Sequence, residues 1–302
     1  MPIYNIKDKK LSQIKKISFK NERELQKLTE NNLEKLFNLK FIASEFQVDN
    51  LRIDTLAYSE ESNSFIIIEY KNTKNYSVID QGYSYLALLL NNKAEFVLKY
   101  NQVLNKNAGK EDFDFSQTRV MFIAPSYTRY QLKSVEFSDI AFELWKVSKF
   151  SNNTVLFDLI NNENAVASIS QISSSDKKQS VNKEIKKYTE DDLFEDKSDY
   201  SIELYRNLKD LILNEFDDIE IVITKLYMVF KVNKKIIASV ELQKKSLKTF
   251  INAKRLDDHK SLCRDVSNKG HWGVGDWELK LKSEEDFDYF VELFKQSYDE
   301  KL

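Results

Sequence analysis

The feature that most constrains this 302-residue chain is a run of four apolar residues, 65–68, that ends abruptly in Glu69-Tyr70-Lys71. A short apolar run bounded by polar clusters reads as a buried strand. A buried strand that closes on a carboxylate and an ammonium must find partners for both. Upstream, residues 51–58 alternate apolar and polar, and residues 59–64 supply a polar turn, so the two runs read as a β-hairpin. Asp54 and Glu69 lie equally far from the turn centre at Glu61-Ser62 and face each other in a symmetric hairpin. Side chains alternate along a strand, so Glu69 and Lys71 share a face while Tyr70 points the other way.

Two carboxylates directly opposite one another destabilise a sheet unless positive charge lies between them. A hard divalent cation with oxygen ligands meets that need, and Mg²⁺ typically takes one or two carboxylates plus phosphate oxygens. Lys71 adds a charge able to hold a phosphate or polarise a water. Past a polar loop, residues 78–90 read as a helix with Gln81 and Tyr85 one turn apart on one face. An isolated Glu-x-Lys at a strand end is ordinary surface chemistry; the four parts together are more specific.

In this order (Asp, turn, buried strand ending in Glu-x-Lys, helix with Gln-x-x-x-Tyr) residues 20–130 resemble the PD-(D/E)XK nuclease superfamily. Within it they look most like the branch containing RecB-type nucleases and the archaeal NucS-type endonuclease domain. The resemblance implies a restriction-endonuclease-like α/β fold and Mg- or Mn-dependent hydrolysis of DNA phosphodiester bonds. It places the metal on Asp54 and Glu69, gives Lys71 the task of orienting or deprotonating water, and gives Gln81 and Tyr85 the positioning of substrate or water. The superfamily's first helix often donates an acidic residue, for which Glu30 and Glu34 are candidates. Glu45, on the following strand, either lines the site or faces an edge. Ile53, not Pro, precedes Asp54, a departure from the superfamily's Pro-Asp dipeptide. The alternative is a nuclease-like fold that binds nucleic acid or protein without cutting.

Around this stretch, residues 21–37 read as one helix capped by Asn21, after an extended lead-in over residues 1–20. Residues 41–48, 95–100, 118–124, 141–147 and 152–160 read as strands, and 127–135 as a short helix. That order predicts a mixed sheet flanked by helices over residues 1–167. Residues 168–199 are rich in Ser, Lys, Asp and Glu and read as a polar linker. Residues 200–302 then read as a small α+β domain: a helix at 202–216, strands at 219–224, 226–232, 235–242, 247–253 and 276–281, and a closing helix at 284–298.

In this second domain, residues 244–255 are basic, and Lys244, Lys245, Lys248, Lys254 and Arg255 are candidates for phosphate contacts. Three of the chain's five glycines fall at 270–275, beside Trp272, which is a candidate for base stacking on an exposed loop. A tight turn that buries Trp272 is the plainer reading. The domain is expected to target or sense. The two-domain plan resembles a bacterial family of nuclease-like proteins known under the label "predicted transport protein". Transport finds no support in the residues, because no apolar run approaches the roughly 20 needed to span a bilayer.

Net charge is −2, so any nucleic-acid contact must come from local patches. One cysteine, Cys263, excludes an intrachain disulfide. No apolar signal core opens the chain, and a cytoplasmic protein, with homo-oligomerisation open, is the expectation. His259, Cys263 and His271 lack a C-x-x-C spacing and form only a weak zinc set.

Overall fold

The structure, a computed structural model, describes residues 2–72, 78–134, 141–160, 181, 184–267 and 273–302. It divides into two compact units, one of residues 1–59 and 63–186, the other of residues 60–62 and 187–302.

The first unit opens on a ribbon of β1 (Ile3–Lys7) and β2 (Lys10–Ile14), then β3 (Lys16–Ile17). The extended lead-in expected over residues 1–20 is therefore a hairpin. Its two-residue turn places Asp8 and Lys9 at φ 50° and 63°, the left-handed pair that a tight hairpin requires. Asp-Lys is an unusual choice there, which is why the turn is inconspicuous in sequence.

Next come α1 (Glu22–Glu30) and α2 (Leu33–Phe37) where one helix was expected. Asn21 caps α1 by accepting from Glu24 N. The break falls at Asn31-Asn32, and Asn38 ends α2 in the left-handed region, φ 53°. Asparagines favour caps and turns because their side chains compete with backbone hydrogen bonds.

The sheet follows with β4 (Lys40–Val48), β5 (Leu51–Ser59) and β6 (Ser64–Tyr70). Behind it lie α3 (Val78–Asn91) and α4 (Lys93–Leu104). Residues 95–100, expected as a strand, belong to α4. Phe96, Val97 and Tyr100 are buried at spacings of one and four, the signature of one helical face. A short apolar run cannot separate the two periods by itself. β7 (Arg119–Ala124), α5 (Arg129–Ser134), β8 (Phe142–Phe150) and β9 (Val155–Leu159) complete the layer. Strand order is β3-β8-β7-β6-β5-β4, with β9 also on β8. The β4-β5-β6 half is antiparallel, and β6-β7-β8 is parallel.

Every residue of β6 is buried, as a central strand covered on both faces must be. On one face Phe65 and Ile67 pack with Tyr58, Leu86, Leu89 and Phe96; on the other Ile66, Ile68 and Tyr70 pack with Leu25, Leu33 and Trp145. This is the mixed sheet flanked by helices read from the sequence.

The second unit holds α6 (Glu190–Phe194) and α7 (Asp199–Glu215). Its antiparallel sheet contains β10 (Glu220–Ile223), β11 (Met228–Val232), β12 (Lys235–Gln243), β13 (Ser246–Ile251), β14 (Arg264–Asp265) and β15 (Trp277–Leu281), and α8 (Phe287–Lys301) closes it. Order in the sheet is β10-β11-β12-β13-β15-β14. Leu204, Tyr205, Leu208 and Ile212 of α7 share one core with Phe290, Leu293 and Phe294 of α8. Helix α6 and the start of α7 lie inside the stretch expected to be linker. Thr189 and Asp192 form a reciprocal cap on α6, a signal that precedes few apolar residues and so stood out little.

Phe65 is fully buried and its ring meets those of Tyr58, Phe96, Tyr100, Phe113 and Phe115 at 5.1–6.2 Å. Phe65→Ala is expected to cost about 3–5 kcal/mol of unfolding free energy in urea titration. A loss below about 1 kcal/mol would show that this aromatic cluster is not the core of the unit.

Candidate active site

The β5–β6 ladder pairs Ser59 with Ser64, Tyr58 with Phe65 and so on to Thr55 with Ile68. The next pair in that register is Asp54 with Glu69, and there the ladder stops. Instead of a ladder carbonyl, the Tyr70 N–H takes the Asp54 carboxylate, donating to Oδ2 at 3.0 Å. The symmetric hairpin therefore brings the two carboxylates to one place, as the turn-centre count predicts.

Glu69 is 3% exposed. Its Oε1 accepts from Lys71 Nζ at 2.6 Å and from Gln81 Nε2 at 2.7 Å. Its Oε2 is buried and has no hydrogen-bond partner among the described residues. Gln81 spends its second N–H on the Tyr85 hydroxyl at 3.0 Å, and Tyr85 donates to the Arg52 carbonyl at 3.0 Å. So all five residues expected at the site, Asp54, Glu69, Lys71, Gln81 and Tyr85, are brought together. Burial and then the charge of Glu69 push the Tyr85 phenol above its ordinary range, so it remains a donor. Helix α3 can lie close because Gly82 faces Phe142. A Cβ at position 82 would come within 2.7 Å of that buried ring.

Asp54 carries the clearest electrostatic mark. Burial first, then the charge of Glu69, pushes its carboxyl up to about 7, against the opposing effects of the Tyr70 N–H and of Lys71. Glu45, aligned with Asp54 on β4, adds to the rise. It holds a left-handed φ of 52° and pairs with Arg52 through Oε2 at 2.9 Å. Glu45 is thus within electrostatic reach of the site although exposed.

Gln26 also reaches the site, a residue not expected there. Its Nε2 lies 2.9–3.2 Å from Glu30 Oε1, Ser44 Oγ, Glu45 Oε1 and the Asp54 carbonyl. An amide has only two N–H bonds for these four neighbours, so the surroundings are rich in acceptors. Glu30 also accepts from Thr55 Oγ1 at 2.6 Å. Of the two helical candidates, then, Glu30 borders the site and Glu34 is exposed. A buried Gln at one helical position gives no sequence signal.

A carboxylate oxygen with no partner among the described residues, beside a second carboxyl pushed up to about 7, fits a hard divalent cation. Asp54 and Glu69 would hold it. Among the described residues no group of three or more His, Cys, Asp or Glu side chains gathers to hold a metal ion. Two carboxylates with water and phosphate oxygens are, however, the habit of Mg²⁺.

Elsewhere, Lys244 and Lys245 sit at the β12–β13 turn, while Lys254 and Arg255 follow β13, so the basic run is split between the two ends of a strand. Lys248 lies 3.9 Å from Glu241 and 3.6 Å from Glu278, and its charge is balanced there. Trp272 and His271 lie outside the described residues. His259 Nδ1 faces Glu292 at 3.3 Å, and burial, then the charge of Asp258, pushes the Cys263 thiol up to about 12.

The first unit is an α/β sheet protein with a buried and a half-buried carboxylate where the ladder of its central hairpin ends, and the second is β-rich. The chain belongs to the family of a Haemophilus influenzae protein described as "Uncharacterized protein", with which it shares 42% identity over 300 residues, 98% of this chain and 99% of the relative. Residues 190–301 match the "Domain of unknown function (DUF5655)". Among solved structures, an EndoMS–double-stranded DNA complex matches with 16% identity over 44% of this chain and 47% of its own, TM-score 0.30. A repair endonuclease from Pyrococcus abyssi matches with 16% identity over 43% and 49%, TM-score 0.25. SfsA of Pyrococcus furiosus with Ca²⁺ matches with 12% identity over 52% and 75%, TM-score 0.26. The chain spans about half the length of the first two. No helix among the described residues is long and apolar enough to cross a membrane.

The raised Asp54 carboxyl fixes a sign. A folded state that holds this proton more tightly than the unfolded chain is favoured at low pH, and that advantage is lost as pH rises through about 7. Asp54→Asn mimics the protonated form and keeps an acceptor for the Tyr70 N–H. In EDTA at pH 8 it is expected to stabilise the protein by roughly 1–3 kcal/mol, partial exposure limiting the gain. Calorimetric affinity of the natural chain for Mn²⁺ should climb with pH and level off above about 7, as the competing proton leaves. Destabilisation by Asp54→Asn under those conditions would contradict the electrostatic account.

Proposed function

We propose that the chain is a metal-dependent phosphodiesterase of the PD-(D/E)XK type that cuts DNA. The observation that carries this reading is Glu69: a buried carboxylate with one oxygen held by Lys71 and Gln81 and the other without a hydrogen-bond partner among the described residues, beside Asp54. A structural ion pair would have no use for the second carboxylate, since breaking even or worse is the usual outcome for buried charges.

A cation held by Asp54 and Glu69 would supply Lewis-acid stabilisation of charge on the phosphate oxygens. The remaining work belongs to the side chains. The Lys71 ammonium, largely buried at 15% exposure, is placed to hold a water or a phosphate oxygen next to the carboxylates. Gln81 holds the Glu69 carboxylate through Oε1, and the Tyr85 hydroxyl in turn holds Gln81. Such locking of reacting groups by hydrogen bonds that do not rearrange is where much catalytic stabilisation originates. Glu30, tied to Thr55 and Gln26, supports the β5 backbone at Asp54. The second unit would target or sense, with Lys244, Lys245, Lys254, Arg255 and Trp272 as contacts to test.

The test uses the purified full chain with supercoiled plasmid and short duplexes in Mg²⁺ or Mn²⁺. Metal-dependent cleavage is expected. Glu69→Gln and Lys71→Met should each lower the rate by a factor of about 10²–10⁴ while the chain stays folded. Cleavage that persists unchanged in Glu69→Gln would dismiss this site. Mn²⁺ and DNA binding without any cleavage would instead make the chain a binding module.

A further inference from the structure

The ribbon of β1 and β2 belongs to neither of the larger sheets. Of its ten strand residues, only Ile3 and Ile14 at the base are partly covered; the other eight are exposed, so both faces meet solvent. Ile6 is 74% exposed, Leu11 66% and Tyr4 46%. The register sets Ile6 opposite Leu11 and Tyr4 opposite Gln13, which gathers the three apolar side chains on one face. Isolated exposed apolar residues are common, but three together on a projecting ribbon mark an interaction surface.

Charge identifies the occupant. Residues 2–17 contain five lysines and one aspartate, in a chain whose net charge is −2. Lys7, Lys9 and Lys10 crowd the tip, and Lys9 holds a left-handed position where Gly or Asn would be easier. At the base, Lys16 lies near enough to Lys146 of β8 for their repulsion to add to burial in lowering the Lys16 pKa. A polyanion lying along the ribbon relieves both concentrations of charge.

We propose that the β1–β2 ribbon is an arm that lies in a groove of duplex DNA. The lysines at its tip and base contact phosphates, and Tyr4, Ile6 and Leu11 lie against sugars and base edges. A two-stranded ribbon fits the major groove, about 12 Å wide. Five residues of strand reach about 17 Å along it. The inference rests on the DNA-cutting reading for the identity of the ligand, and adds where the duplex is gripped.

Binding of a labelled 30-base-pair duplex to the full chain is measured by fluorescence anisotropy in EDTA, across a salt series, with cleavage in Mg²⁺ measured separately. The triple variant Lys7→Gln, Lys9→Gln, Lys10→Gln is expected to bind at least tenfold more weakly at low salt. Its slope of log K against log salt should be shallower by about 2–3, one increment per lost phosphate contact. Melting of the chain should be unchanged, because the ribbon lies outside both cores. Tyr4→Ser with Ile6→Ser should weaken binding without altering the slope.

Equal affinity and equal slope in the triple variant overturn the proposal, even if the chain cuts DNA. Ribbon-dependent binding with no cleavage supports the arm and removes the nuclease reading instead. If the apolar variants leave DNA affinity intact but convert a sedimenting dimer to monomer, a second copy of the chain is the occupant and the arm proposal fails.

Discussion

A carboxylate at the end of a fully buried strand is the constraint on which the first unit depends. Glu69 is the last residue but one of β6, and every residue of that strand is buried. Removing such a charge from water is costly unless it is paired and hydrogen-bonded. Among the described residues the fold meets half of that requirement: Lys71 and Gln81 satisfy Oε1, and Oε2 has no hydrogen-bond partner. Local rules broken inside an otherwise consistent fold concentrate at functional sites. The incomplete satisfaction of Glu69 is the reason to read this place as chemistry rather than scaffolding.

Three parts of the chain converge to hold that arrangement. The β5–β6 hairpin brings Asp54 beside Glu69, and the end of its ladder frees the Tyr70 N–H for the Asp54 carboxylate. Helix α3 lies close enough, through Gly82 against Phe142, for Gln81 to reach Glu69. From the first helix, Gln26 and Glu30 tie into Ser44, Thr55 and the Asp54 carbonyl. Each of these three contributions comes from an element anchored in one of the two apolar layers.

Much of this geometry was legible in the residues. Counting outward from the turn at Glu61-Ser62 gives the facing of Asp54 and Glu69, because the side-chain period of a strand is two and the register of a symmetric hairpin is set by its turn. Helical spacing likewise gives the shared face of Gln81 and Tyr85. Illegible were the elements whose local signals conflict or are weak. Residues 95–100 satisfy a strand pattern and a helix pattern equally, and packing of Phe96, Val97 and Tyr100 chose the helix. The hairpin at Asp8-Lys9 lacks the Asn-Gly chemistry that announces such turns. Asn31 and Asn32 divide a helix that amphipathic spacing alone would continue.

The sequence by itself determined which strand is central and that its end carries two opposed carboxylates and a lysine, since these follow from apolar runs and periods that act within a few residues. Only the tertiary structure decided that one oxygen of Glu69 has no partner among the described residues, that Asp54 is pushed to about 7, and that Gln26, Glu30 and Glu45 stand nearby. Burial and the electric field of distant side chains depend on how layers pack, and no window of sequence contains both sides of that contact.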